Sequence, residues 1–234
     1  MKISIITSVS GKSSRELADH LKENGIEASV SRPFDDGRHD FTKSDYVFSY
    51  GCSADTHHKR RINSAKAVDT CVSKVKTFKA LAEFPIPRWW TRKGDIPDDV
   101  EHLVIRKEIG GRSAKNLAYW EKADGPIPDG KLYTEFFFHE REYRVTVFMG
   151  QVFVYYKFRT KEDDHEFRIQ PTSRFKTMVD TCRKAAIKLG IDYGSFDVVA
   201  KTKEDFVILE CNSGTVLTDE VSLAIVEYFL NFKE

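Results

Sequence analysis

The stretch SFDVVAKTKEDFVILECNS, Ser195–Ser213, sets acids inside two runs that otherwise read as buried strand. Phe196 to Ala200 and Phe206 to Cys211 are rich in β-formers, and Lys201-Thr-Lys-Glu-Asp205 between them is turn material. Side chains alternate faces along a strand. A hairpin symmetric about the Lys203–Glu204 bond puts Phe196, Val198 and Ala200 against Val207, Leu209 and Cys211 on one wholly apolar face. The other face carries Ser195, Asp197 and Val199 against Ile208, Glu210 and Asn212. In that register Asp197 lies opposite Glu210, and like charges facing each other destabilise the ladder. A divalent cation would offset the repulsion. Two carboxylates and an amide oxygen suit hard Mg²⁺, which commonly shares itself with substrate phosphates. The competing reading is a surface strand with scattered acids.

Working outward, the 234-residue chain is long enough for one large domain or two small ones. With 41% hydrophobic and 31% charged residues its composition is that of a soluble globular protein. A formal net charge of +1 supplies no global field for nucleic acid or a membrane. No apolar run approaches the ~20 residues that span a bilayer. The opening MKISIITSVSG is too short and polar for a secretory leader. Cys52, Cys71, Cys182 and Cys211 are widely spaced and form no CxxC, which predicts reduced core thiols in a cytoplasmic protein.

Lys2 to Ser8 reads as a strand, followed by a helix to about Asn24 and strands at Ile26–Val30 and Tyr46–Tyr50, a β-α-β order that predicts a small parallel sheet. Gly11-Lys12-Ser13 is not a P-loop, because Ile6 stands where that signature needs its first glycine. Asn63 to about Phe84 has helical periodicity, with Ala67, Cys71, Val75, Phe78, Leu81 and Ala82 on one face, and Pro85-Ile-Pro87 stops it. Leu103–Lys107, Leu132–Phe138, Tyr143–Met149 and Gln151–Arg159 read as strands, with a tight hairpin at Met149-Gly150. Ser173–Leu189 and Asp219–Phe232 read as helices. The fold class is α/β with much antiparallel sheet in the second half.

Several segments, in this order, resemble the ATP-grasp superfamily, above all its ribosomal-protein-modifying and glutathione-synthetase-like carboxylate–amine ligases. Asn63 through Pro87, ending SKVKTFKALAEFPIP, is similar to the family's Asn, Asp-Lys, helix and Gly-Ile-Pro-x-Pro. LVIRKEIGGRSAKNL is similar to its nucleotide-binding strand and phosphate-covering loop. LYTEFFFHEREYRVTVFMGQVFVYYKFR is similar to its hinge, ribose acid and phosphate Arg, and LGIDYGSFDVV with ILECN to its metal-binding end. The likeness covers roughly residues 60 to 215. Three departures stand out: Ser73 where the family has Asp, Ala114 and Asn116 where its loop has glycines, and no Pro after Asn212.

The resemblance implies an ATP-grasp fold with a β-α-β subdomain over 1–60, a linker helix and central subdomain over 61–138, and a C-terminal subdomain over 139–234 carrying the metal site. It implies ATP and Mg²⁺ as cofactors, with Mn²⁺ as a substitute. Lys74 and Arg106 would neutralise phosphates, with Ser113 in the covering loop. Glu135, Phe136 and Phe137 would meet the adenine, Glu142 the ribose hydroxyls, and Arg144 the phosphate oxygens. Lys157 and Arg159, two apart on one strand face, would hold the substrate carboxylate or the developing acyl phosphate, with Arg168 and Arg174 as lesser candidates. Asp197, Glu210 and Asn212 match the metal ligands. The implied reaction is ATP-dependent amide ligation through an acyl phosphate, on a small-molecule or peptide substrate with a carboxylate and an amine acceptor, without nucleic acid or membrane. A phosphotransferase and a non-enzymatic nucleotide-binding module are the alternatives. His57-His58-Lys59-Arg60-Arg61 is a basic cluster that reads as a solvated helix start, with an acidic substrate or another chain as the alternative partner.

Overall fold

The computed structural model describes residues 1–8, 11–32, 41–107, 117–159 and 165–232, with the backbone alone at 159 and 165. Three sheets organise them. The first is parallel, with strand order β2-β1-β3-β4 from β1 (Lys2–Thr7), β2 (Glu27–Ser31), β3 (Tyr46–Tyr50) and β4 (Arg61–Ile62). The expected β-α-β unit is present, with α1 (Lys12–Glu23) as its crossover. Helix α1 buries Ser14, Leu17, Ala18 and Leu21, a stripe at helical spacing laid on the sheet.

The segment read as one helix from Asn63 to Phe84 is two: α2 (Ala65–Val72) and α3 (Lys74–Ala80). Ser73 between them has an extended backbone, and its hydroxyl accepts from the Lys76 N–H at 3.4 Å. A serine that bonds a nearby N–H competes with helix continuation, so the same residue ends one helix and caps the next. Asn63 also stays out of the helix, at φ +62°.

A second, antiparallel sheet has the order β5-β8-β6-β7, from β5 (Trp89–Trp90), β6 (His102–Arg106), β7 (Leu117–Glu121) and β8 (Leu132–Glu135). Val100, Leu103, Ile105, Trp120 and Tyr133 form its core. The strand expected to reach Phe138 ends at Glu135, and β5 and β7 were not foreseen.

The third sheet, also antiparallel, is β11-β10-β9-β12-β13, built from β9 (Arg141–Phe148), β10 (Gln151–Arg159), β11 (His165–Gln170), β12 (Tyr193–Ala200) and β13 (Phe206–Asn212). Met149 and Gly150, both at positive φ, make the tight turn between β9 and β10. Helix α4 (Lys176–Leu189) covers one face through Met178, Cys182, Ala185, Ala186 and Leu189, and left-handed Gly190 ends it. Helix α5 (Asp219–Leu230) packs Val221, Ile225 and Phe229 into a core shared with Ile3, Ile5 and Leu17. The four cysteines are buried free thiols, as expected. Among the described residues no helix is long and apolar enough to cross a membrane.

Candidate functional site

The β12–β13 hairpin pairs Ser195 with Asn212, Phe196 with Cys211, and Asp197 with Glu210, the register that the symmetric hairpin predicts. Beyond Asp197 the prediction fails by one residue: Val198 pairs with Ile208 and Ala200 with Phe206, because β13 bulges at Leu209. The bulge corrects the apolar face. Phe206, Ile208 and Cys211 join the α4 core with Phe196, Val198 and Ala200, in place of Val207, Leu209 and Cys211. It also turns the Leu209 carbonyl out of the ladder, where the Lys74 ammonium donates to it at 3.4 Å.

Each acid opposite the other has its own cation. Asp197 accepts from Arg144 Nε at 3.0 Å and Nη2 at 3.3 Å, from the directly paired position on β9. Glu210 takes an ion pair from Lys74 and a 3.0 Å hydrogen bond from the Asn212 amide. Lys157 on β10 lies 3.2 Å from Glu142 and 3.9 Å from Asp197. Burial alone would raise Glu210. Lys74, Asn212 and Arg106 more than offset it and hold the carboxyl well below the usual range. Burial lowers the Lys74 ammonium, against the pull of Glu210. Burial likewise lowers Arg106, whose charge is felt at both Glu210 and Lys74.

Thus Lys74, Arg106, Glu142, Arg144, Lys157, Asp197, Glu210 and Asn212 come together from α3, the second sheet and the third sheet. The helix break at Ser73 is what lets Lys74, first residue of α3, turn onto β13. Ser113 lies outside the described residues, as does the side chain of Arg159. Arg88 forks onto the Glu135 carboxylate at 2.7 and 2.8 Å and lowers it. The Phe136 N–H donates to the His102 carbonyl at 3.0 Å, and its ring meets Tyr119 and Phe138 edge-on. With His102 and Trp120 these rings line a cavity of about 300 Å³. The Phe137 carbonyl is met by His139 at 2.9 Å, and Lys201 lies over its ring. Arg168 stacks on Phe158, 4.5 Å from the ring centre.

Sequence reading missed three contributors. Thr146 and Ser195 share a 2.7 Å hydroxyl contact two residues along from the Arg144–Asp197 pair, and strand alternation would have placed them on the same face. Phe167 lies under Arg144, 4.6 Å from ring centre to guanidinium. Its strand, β11, carries a short alternation, Glu166-Phe-Arg-Ile-Gln170, that was not read as a strand.

The donor set fits Mg²⁺. Two carboxylates in register and an amide two residues on provide hard oxygens, and Mg²⁺ completes its shell with water and phosphate rather than an all-protein cage. Among the described residues no group of three or more His, Cys, Asp or Glu is placed to hold a metal ion.

No protein-family model matches the chain, and no curated protein matches it. Solved structures do. The ATP-grasp ligase PsnB, complexed with a minimal precursor, is 15% identical with a TM-score of 0.73, over 98% of each chain. The macrocyclase MdnC from Microcystis aeruginosa, bound with precursor peptide MdnA, is 14% identical with a TM-score of 0.70, over 99% of this chain and 100% of that one. D-alanine–D-alanine ligase from Bacillus anthracis, complexed with ATP, is 15% identical with a TM-score of 0.66, over 98% of this chain and 99% of that one. At such identities the likeness is one of fold, and the fold of this chain is that of the ATP-grasp ligases.

Proposed function

We propose that the chain is an ATP-dependent carboxylate–amine ligase acting on a peptide. One observation supports the reading above all: four cations from four elements converge on two carboxylates that the strand register sets opposite each other. Left alone, such a set is an expensive way to build a sheet. It becomes economical where a polyphosphate and a divalent ion occupy it together. Asp197, Glu210 and Asn212 would hold Mg²⁺, which when bound supplies positive charge between phosphate oxygens. Lys74, Arg106 and Arg144 neutralise the remaining phosphate charge, and Arg144 offers a flat fork matched to phosphate. Phe136, beside the aromatic cavity, borders the nucleobase, and Glu142 accepts from the ribose hydroxyls.

The substrate carboxylate attacks the γ-phosphorus and ADP leaves, forming an acyl phosphate. The amine nitrogen then attacks the acyl carbon, the amine proton is lost and phosphate leaves. Lys157 would hold the carboxylate and then the acyl phosphate formed from it. No side-chain nucleophile is needed, so the protein's work is positioning and charge neutralisation. Support for a peptide substrate comes from the precursor peptides bound by PsnB and MdnC.

Calorimetry tests the nucleotide half. Mg²⁺-dependent ATP binding is expected in the wild type and at least tenfold weaker binding in the double variant Asp197→Asn/Glu210→Gln, roughly the loss of one charge-assisted contact. A folded wild type that does not bind ATP with Mg²⁺ present refutes the reading. Free phosphate released in step with a new amide, seen by mass spectrometry, marks a ligase. A stable phosphorylated acceptor marks a phosphotransferase instead.

A further inference from the structure

Arg144 is restrained on two sides. Its edge is fixed by Asp197 through Nε and Nη2, and its guanidinium carbon lies over the Phe167 ring, 4.6 Å from the ring centre. The guanidinium is largely enclosed, with 14% of the side chain exposed. Among the described residues its third nitrogen, Nη1, has no acceptor. These two restraints differ in what happens when ligands enter. Asp197 is one of the three residues assigned to Mg²⁺ above, and a carboxylate oxygen that turns to a divalent ion weakens its bond to the arginine. Phe167 has no polar atom and no stake in the metal or the phosphates.

The ring also sits where strand order would not place it by chance. Phe167 is on β11, at the sheet edge, paired with Lys157 of β10, while Arg144 is on β9 beyond it. The two side chains therefore meet across an intervening strand. Phe167 packs only partly into the core, so filling the interior does not fully account for an aromatic ring there. An aromatic face attracts a cation and stacks on the guanidinium plane without competing for its N–H donors.

We infer that Phe167 is a positioning residue: it holds the Arg144 guanidinium flat and aimed at the nucleotide phosphates while Asp197 changes partner. The inference rests on the nucleotide reading of the site. It is distinct from a packing role, because a leucine would pack as well and would not orient a planar cation.

The test is a double-mutant cycle read by calorimetry with ATP and Mg²⁺. Phe167→Leu is expected to weaken binding roughly three- to tenfold, the range of a partly enclosed cation–π contact. Phe167→Tyr, which keeps the ring face, should bind like the wild type. In an Arg144→Met background Phe167→Leu should add less than about a twofold loss; should Arg144→Met bind too weakly to measure, ADP binding to the same pair at high protein concentration closes the cycle. Equal losses in both backgrounds, or no loss in the wild-type background, would overturn the inference while leaving the nucleotide reading intact. A wild type that fails to bind ATP with Mg²⁺ would overturn the nucleotide reading, and the inference with it.

Discussion

Asn63 shows how much one side chain can hold. It is fully buried at φ +62°, a conformation Asn adopts more readily than most residues. Its amide oxygen accepts from the Asp192 and Tyr193 N–H groups at 2.9 Å each, and its amide nitrogen donates to the Tyr193 carbonyl at 2.7 Å. Its own N–H donates to the Asp192 carboxylate at 3.0 Å. These bonds fix the start of β12, four residues before Asp197. Asn63→Ala strands two backbone N–H groups and a carbonyl and keeps an unfavourable φ, so a loss of about 3 kcal/mol is expected in urea unfolding. A loss below about 1 kcal/mol would mean that the network relaxes or takes up water. At this scale the sequence was readable where chemistry repeats along a strand. Asp197 opposite Glu210 follows from period-two alternation and a five-residue turn. Phe167 under Arg144 does not, because it depends on which strands become neighbours.

Among the elements, the loops after β3 and β13 meet backbone to backbone. A Cβ on Gly214 would lie 2.9 Å from the Gly51 Cα and 3.0 Å from its nitrogen, and the Gly51 N–H donates to the Ser213 carbonyl at 3.1 Å. Gly51 itself has φ +64°. The glycines thus let the parallel sheet close onto the end of the strand that carries Glu210 and Asn212. Gly214→Ala forces backbone apart rather than a flexible side chain, so it should cost about 1–3 kcal/mol in thermal or urea unfolding. It should also weaken Mg²⁺-dependent ATP binding, since Asn212 lies two residues away. Unchanged stability would show that the two loops can separate freely. Helix breaks and bulges are the features of this scale that the sequence hid. The apolar stripe from Ala67 to Leu81 runs through Ser73 without a gap in its period, and only the serine's local hydrogen bond reveals the break. The bulge at Leu209 leaves no compositional mark, because Val207, Ile208 and Leu209 are interchangeable in hydrophobicity.

For the whole molecule, the order of motifs was more legible than the architecture between them. The parallel first sheet, the β9–β10 turn and the closing helices follow from patterns of local chemistry. The second sheet was only half visible, since β5 is two residues long and β7 follows a stretch rich in glycine and charge. Where the sheets converge, tyrosines accumulate. Tyr50 stacks on Tyr193, and both hydroxyls turn to the Thr215 carbonyl. Burial, the largest cause, pushes the Tyr50 phenol up to about 12. Between about pH 10 and pH 12 the unfolded chain has therefore released this proton while the folded chain retains it, so stability falls as pH rises. The decline from Tyr50 alone is roughly 2–3 kcal/mol across that window, and full stability is kept below it. Urea unfolding from about pH 8 to pH 12 should show the decline, and Tyr50→Phe should make it shallower without abolishing it, because burial also raises the Tyr155 and Tyr193 phenols. A wild-type stability flat to about pH 12 would mean that the phenol ionises in the fold as easily as in water.

The core that joins Ile3, Ile5 and Leu17 to Val221, Ile225 and Phe229 has a bearing on how the chain is made. Synthesis proceeds from the N-terminus, and domains fold as their parts emerge from the ribosome. The first sheet leaves early, yet one of the surfaces that covers its apolar side is α5, some two hundred residues later in the chain. In a nascent chain, part of this apolar face is therefore covered by Phe148, Tyr155 and Tyr193 of the third sheet, and α5 arrives later to complete the core. A holdase that shields such faces would engage β1 and α1 for longer than the strands that bear the chemistry, because their core closes only when α5 has been made.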